Sequence, residues 1–81
     1  MAMRILYFSR AAELAGYREE TWACTKPLSV EAFWQDLLAR HPQLTPLRSA
    51  CRLAVNQTYA TSETMIPPDA EVALIPPVSG G

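Results

Sequence analysis

Apolar residues recur along this chain at two spacings, one typical of a helix and one typical of strands. The helical spacing occupies residues 30–40, where apolar residues recur at i, i+3, i+4, i+7 and i+8. Ser29 is placed to cap the start of this helix, and Pro42 is placed to stop it. The apolar stripe consists of Val30, Phe33, Trp34, Leu37 and Leu38. We therefore expect this helix to pack by its stripe against a sheet.

The strand spacing is clearest near the start of the chain, where residues 3–8 form an apolar run interrupted only by Arg4 and predict an interior strand. Alternation places Ile5 and Tyr7 on one face of this strand and Leu6 and Phe8 on the other. Because Arg4 shares the second face and prefers water, we expect the first face to meet the core. The apolar pair on the outer face is then suited to contact a partner. The alternative is that other parts of the chain cover both faces.

Shorter elements are predicted on either side of the long helix. Further strands are expected at residues 19–24, 52–56, 58–60 and 71–75, with connections at 43–50 and 61–70. After the first strand, Ser9 can cap a short helix over residues 10–15, which Gly16 would close in the left-handed conformation. Asn56 and Gln57 are expected to turn the chain between two strands.

An amphipathic helix laid across a mixed sheet gives an α+β fold. If the first and last strands lie parallel at the centre of the sheet, the segment after the last strand leaves beside Phe8. That arrangement is a β-grasp, or ubiquitin-like, fold. We expect residues 1–75 to form this domain and residues 76–81 to form an extended C-terminal tail.

The predicted tail has a composition suited to entering a narrow channel. Pro76 and Pro77 fix φ near the polyproline II value and remove two backbone donors, so the chain projects from the sheet. Gly80 and Gly81 present only backbone, so the Gly81 carboxylate can enter a channel too narrow for a Cβ atom. A free carboxylate is a poor electrophile and needs activation, for example as an acyl-adenylate. The sequence has no glycine-rich phosphate loop, so an activating partner would use the ATP.

Composition narrows the classes of function. The 81 residues suffice for one domain, and 7 basic against 8 acidic residues give a net charge of −1. A chain with this balance has no excess of positive charge to bind nucleic acid or an anionic membrane. No apolar run approaches the roughly 18 residues of a membrane span, and the first residues lack a signal-peptide core. We therefore expect a cytoplasmic protein.

The residues that most often hold metals are few and scattered. Cys24 and Cys51 lack CxxC spacing, and in the cytoplasm we expect them to stay reduced as small apolar side chains. His41 is the only histidine, so a histidine metal centre or a Ser-His triad cannot be assembled. We expect no metal site, and we expect His41 to complement the dipole of the long helix at its C-terminus.

Three segments match one known family. They are Ile5–Gly16, Ala54–Thr58 and Asp69–Gly81, the last of which ends in Pro-Pro-Val-Ser-Gly-Gly. Together they resemble the small subunits of molybdopterin synthase, the ubiquitin-like sulfur carriers of the MoaD type. The resemblance covers the whole chain. It departs at Ala12, where family members often have arginine, and at Ala70, where a glycine usually makes the turn.

The resemblance implies a carrier that depends on partner enzymes. A MoeB-like adenylyltransferase of the ubiquitin-activating type would use ATP to adenylate Gly81, and a sulfur donor enzyme would convert it to a thiocarboxylate. The tail residues Pro76, Pro77, Val78, Ser79 and Gly80 would insert into a MoaE-like large subunit. There the Gly81 sulfur would attack the cyclic pyranopterin precursor and build the dithiolene of molybdopterin.

The same resemblance implies further properties of the assembly. Leu6, Phe8 and Ile75 are candidates for the partner interface. The acid-base residues would belong to the large subunit, and this chain would bind no cofactor. Two small and two large subunits would form a heterotetramer.

Three other functions fit the same pattern. The chain could be a sister sulfur carrier for thiamine or thiolated RNA, although the Pro-Pro-Val-Ser segment before the glycines favours the pterin pathway. It could be a ubiquitin-like modifier that forms isopeptide bonds with lysines. It could also be a non-covalent β-grasp module whose terminal glycines are dispensable.

Overall fold

A computed structural model describes residues 1–77 of the chain. Within those residues it contains β1 (Ala2–Tyr7), α1 (Arg10–Ala15), β2 (Glu19–Ala23), β3 (Leu28–Ser29), α2 (Val30–Arg40), a 3-10 helix (Pro42–Leu47), β4 (Arg52–Val55), β5 (Thr58–Tyr59), β6 (Met65–Ile66) and β7 (Glu71–Ile75). The two predicted helices and the predicted strands of the main sheet begin and end within about two residues of their expected bounds.

The first and last strands form the centre of the main sheet. Its order is β2-β1-β7-β4-β5. The β1 and β7 strands run parallel, with Ile5 opposite Val72 and Tyr7 opposite Leu74, and the other pairs are antiparallel. This topology confirms the predicted α+β, β-grasp fold. It also places Ile75, the last residue of β7, at the same end of the sheet as the C-terminal end of β1.

The core lies between one face of this sheet and α2. Ile5 and Tyr7 are 0% and 2% exposed, which confirms the predicted inward face of β1. Phe33 of α2 is also fully buried, and its ring centroid lies 5.2 Å from that of Trp22 on β2. The Arg40 guanidinium covers the same indole at 4.2 Å from the ring centroid. Aromatic packing therefore fixes the long helix on the sheet.

The expected connections contain structure that the sequence pattern did not reveal. The antiparallel pair of β3 and β6 makes a second, two-stranded sheet, and β6 lies inside the segment expected to be a loop. A 3-10 helix follows α2 where another connection was expected, with Leu44 and Leu47 buried as anchors. Strands of two residues are too short to show a period, so the prediction of a loop throughout residues 61–70 was wrong. The expected anchoring of the 43–50 connection by Leu44 and Leu47 is confirmed.

The two helices begin with different capping geometry. Ser29 has extended backbone, and its hydroxyl accepts a 3.0 Å hydrogen bond from the Ala32 N–H, as predicted. Ser9 has a φ of 53°, and within the described part of the chain its side chain makes no capping hydrogen bond to α1. The prediction of a side-chain cap at Ser9 was therefore wrong. Gly16 closes α1 with a φ of 91°, as predicted.

The difference between these caps gives a first prediction. Ser29→Ala removes the acceptor of the Ala32 N–H, so we expect the free energy of unfolding to fall by about 1 kcal/mol. Ser9→Ala removes no capping bond and is the matched control, with an expected change within about 0.5 kcal/mol. Urea denaturation of both variants measures these changes. Equal losses at the two serines would contradict this account of the caps.

Candidate functional site

The outer face of the main sheet carries an apolar groove. Its floor is formed by Ala54 of β4 and Ala73 of β7, which lie opposite each other in register. Leu6 lies opposite Ala73 on one side, and Tyr59 lies opposite Ala54 on the other. The two methyl side chains between larger neighbours produce a depression across four adjacent strands.

The groove brings together the three residues that the sequence proposed for a partner interface. Leu6 and Ile75 are half-buried there, and Phe8 is 49% exposed. Tyr59 adds a second large side chain, 51% exposed, that the sequence analysis did not select. Exposed aromatic side chains around an apolar floor are typical of a protein-binding surface. The groove is hence the candidate partner interface of the described residues.

Charged residues border this groove. The Arg4 guanidinium lies 3.2 Å from carboxylate oxygens of both Glu19 and Glu71, and these exposed pairs add little to stability. The Arg52 guanidinium lies over the Tyr59 ring, 4.0 Å from its centroid. That stacking holds the Tyr59 ring at the margin of the groove.

The tail begins next to the groove. Pro76 is half-buried and Pro77 is exposed, immediately after the last residue of β7. Both prolines line a shallow cavity that includes Phe8 and Arg10 on one side and Pro46 on the other. The diproline therefore lies beside Phe8, where the sequence predicted that the tail would leave the sheet. The expected roles of Val78, Ser79, Gly80 and Gly81 concern residues outside the described range.

A polar cluster supports the end of β1 at Tyr7, the residue before Phe8. The Tyr7 hydroxyl donates to Glu20 Oε1, and His41 Nε2 lies 2.7 Å from the same oxygen. His41 Nε2 therefore carries a proton and donates, because a carboxylate oxygen can only accept. Tyr17 completes the cluster with its hydroxyl 2.9 Å from His41 Nε2. His41 thus caps α2, as expected of its position, and also ties α2 to β2, which was not expected.

Burial and hydrogen bonding shift the titration of this cluster. Burial would raise the pKa of the Glu20 carboxyl, but hydrogen bonds from Tyr7 and His41 outweigh it and leave that pKa below its usual value. Burial, and then the bonded Glu20 carboxylate, raise the pKa of Tyr7 well above its ordinary value. At neutral pH the cluster therefore holds an ionised Glu20 and a neutral Tyr7, and its role is to anchor β1.

Two further features of residues 1–77 bear on function. No group of three or more His, Cys, Asp or Glu side chains in this range is placed to hold a metal ion. None of the helices in this range is both long and apolar enough to cross a membrane.

Comparison with known proteins identifies the family. The model of the ThiS family matches residues 5–81, which include the second half of β1, all of β7 and the whole predicted tail. This chain belongs to the ThiS family. The match extends over the Gly-Gly end as well as the β-grasp body of this ThiS-family member.

Two curated relatives of this ThiS-family chain share a name. The molybdopterin synthase sulfur carrier subunit of Homo sapiens is 34% identical over 82 residues, covering 98% of this chain and 93% of the relative. The protein of the same name from Chlamydomonas reinhardtii is 34% identical over 83 residues and covers both chains completely. These relatives confirm the resemblance to molybdopterin synthase small subunits that the sequence motifs indicated.

Solved structures confirm the fold of this ThiS-family chain. SAMP1 from Haloferax volcanii superposes with a TM-score of 0.83 at 26% identity, covering 100% of both chains. A protein complex of subunits 1 and 2 of the molybdopterin-converting factor from Helicobacter pylori gives a TM-score of 0.67 at 18% identity, again covering 100% of both chains. At that lower identity the likeness concerns the fold alone.

Proposed function

We propose that this chain is the sulfur carrier subunit of a molybdopterin synthase. The observation that carries the proposal is the diproline leaving a central strand beside the apolar groove, in a chain 34% identical over its length to named sulfur carriers. Residues 1–75 serve as the body that partners recognise, and residues 76–81 serve as the reacting tail. The protein works in the cytoplasm, where its partner enzymes act.

The chemistry takes place at Gly81. An adenylyltransferase of the ubiquitin-activating type binds ATP, and the Gly81 carboxylate attacks the α-phosphate and releases pyrophosphate. A sulfur donor enzyme then supplies sulfur at the oxidation level of sulfide, which attacks the acyl carbon of Gly81, breaks its bond to AMP and leaves a thiocarboxylate. This form keeps a negative charge on a soft and strongly nucleophilic sulfur. This chain binds no cofactor of its own in the scheme.

Delivery requires the large subunit. The tail residues Pro76 to Gly80 occupy a channel in that subunit, and the Gly81 sulfur attacks the cyclic pyranopterin precursor. Hydrolysis of the resulting thioester-like intermediate frees the carrier, and two deliveries complete the dithiolene. The acid-base groups belong to the large subunit, and two copies of each subunit form the active heterotetramer. The Helicobacter pylori complex of subunits 1 and 2 supports the pairing with a large subunit by analogy of fold.

The groove supplies the docking surface for these partners. Phe8 and Tyr59 are the exposed anchors, while Leu6, Ile75 and the alanine floor complete the apolar surface. Because Phe8 also lines the cavity around Pro76 and Pro77, the docked surface and the tail form one continuous interface. Docking on the groove would therefore orient the tail toward a partner's active site.

The intact mass of the purified protein tests the proposal. We expect expression with an activating enzyme and a sulfur donor to give a mass gain equal to replacing one oxygen by sulfur, and fragmentation to locate it on Gly81. An unmodified carboxylate from a host proven competent for activation would overturn the sulfur-carrier function. Restored molybdoenzyme activity in a strain lacking its small subunit would distinguish the pterin pathway from thiamine or RNA thiolation.

The similarity to SAMP1 supports a second candidate function. That protein is named as a small archaeal modifier, and this chain superposes on it over its full length at 26% identity. As a modifier, the Gly81 carboxylate would form isopeptide bonds with lysines of other proteins. Conjugates of high mass that persist under denaturing and reducing conditions would favour this function over sulfur transfer.

A further inference from the structure

Arginines lie near the base of the tail, whereas the lysine of this chain lies toward the other end of the main sheet. Of the 7 basic residues, Lys26 is the only lysine, and all the others are arginine. Lys26 is exposed in the loop after β2, whose last residue, Ala23, lies opposite Ala2. The tail leaves from the other end, where Tyr7 lies opposite Leu74. At about 3.3 Å per residue, β1 separates these ends by roughly 17 Å.

Two arginines lie near the base of the tail. Arg52 is exposed on β4 directly opposite Ile75, the last residue before the tail. Arg10, also exposed, lines the cavity that contains Pro76 and Pro77. The fully charged guanidinium group has no free lone pair at any pH in a protein, so it does not attack acyl groups. These two positions therefore carry positive charge without carrying a nucleophile.

The cysteine nearest to this region is similarly protected. Cys51 directly precedes Arg52, is 9% exposed, and burial raises the pKa of its thiol. It therefore stays protonated and enclosed, and only the thiolate is a strong nucleophile. Cys24 lies at the opposite end of the sheet, where its N–H donates to the Met1 carbonyl at 3.1 Å. Both thiols are thus kept from the tail, one by burial and one by position.

We propose that this arrangement protects the activated Gly81 acyl group from capture by the lysine amine and the cysteine thiols of its own chain. The proposal rests on the proposed function, because only a carrier with an activated terminus needs such protection. Attack by a lysine amine would form a C–N bond at the Gly81 carbonyl and break the bond to the activating group. That group would leave as AMP or as a thiol, and the amine would lose a proton. The resulting amide is too stable to return the carrier to its cycle.

The length of the tail determines which side chains Gly81 could meet. The six residues from 76 to 81 span at most about 20 Å when fully extended. A lysine at position 52, level with Ile75, lies well within that reach, and tethering gives such a group a large effective concentration. To reach Lys26, the tail would have to be extended and to fold back along the length of β1. Lys26 is therefore less able to react with the tail than a lysine at position 52 would be.

A chemical experiment tests the inference without any activating enzyme. The full chain would be prepared with Gly81 as the thioester of a small thiol and incubated at about pH 8.5, where a small fraction of lysine is deprotonated. Arg52→Lys and Arg10→Lys each keep the charge and add an amine at the tail base. Thr25→Lys is the matched control, because it adds an exposed amine beside Lys26. Intact mass and denaturing gels would separate internal amides, dimers and hydrolysed protein.

We expect Arg52→Lys and Arg10→Lys to form internal amides at least about tenfold faster than the natural chain, and Thr25→Lys to match the natural chain. Equal amide formation in all four proteins, or rapid capture by Lys26 in the natural chain, would overturn the inference. Thermal unfolding of each variant confirms that the exposed substitutions leave the fold intact. Pyrophosphate release by an activating enzyme is a separate assay, so a failed proposed function is distinguished from a failed inference.

Discussion

Replacing Gly81 by alanine is expected to reduce sulfur transfer at least about 100-fold while leaving the fold unchanged. The added methyl group lies next to the reacting carbonyl carbon, where a partner channel shaped around backbone would have to move. Residue 81 lies beyond residues 1–77, which contain both sheets and the core, so stability should not depend on it. Pyrophosphate exchange with an activating enzyme and transfer of labelled sulfur would measure the loss.

The same substitution at a second glycine provides the control. Gly16 has a φ of 91°, and a Cβ atom there would meet nothing within 4 Å. Gly16→Ala should therefore cost about 1 kcal/mol of stability through backbone strain, while its folded fraction transfers sulfur normally. Adenylation and delivery at the normal rate by Gly81→Ala would refute the narrow channel that the tail composition indicates.

Truncating Phe8 to alanine is expected to weaken binding to the large subunit by about 30-fold or more, the effect of losing an aromatic anchor. Phe8 is 49% exposed in the isolated chain, so its removal should cost the fold little. Its ring lies where the groove meets the cavity around the diproline, at the centre of the proposed interface. Isothermal titration calorimetry would give the change in affinity.

Met65→Ala is the matched control for Phe8. Met65 is 57% exposed and lies on β6 in the second sheet, so its truncation removes a comparable apolar surface elsewhere. We expect unchanged affinity for the large subunit. Similar losses in the two variants would show that the groove is not the docking surface.

The main helices and strands and their buried faces could be predicted from the sequence because they leave periodic patterns. The stripe on α2 and the alternation in β1 each repeat over several residues, so burial of Phe33, Ile5 and Tyr7 could be predicted. The diproline after an apolar strand likewise marked the end of β7. Each of these patterns can be recognised from residues that lie close together in the sequence.

Features that depend on contacts between distant segments could not be predicted in this way. The pairing of β3 with β6 joins residues far apart in sequence through two residues on each side. The bond between His41 and Glu20 likewise depends on how α2 crosses the sheet. The groove floor was missed because Ala54 and Ala73 look like ordinary strand residues until the register places them together. Only a prediction of strand order and register could have found them.

The parallel pairing of β1 with β7 also bears on when the protein can fold during its synthesis. Arg4 on β1 contacts Glu71 on β7, 67 positions later in the chain. Contacts of such long separation form slowly and cannot form at all before the last strand has been made. Until then β1 lacks its inner neighbour, and the sheet lacks the link between β1 and β4. A growing or prematurely ended chain therefore lacks the complete groove, and under the proposed function we expect partner enzymes to engage only molecules whose last strand is in place.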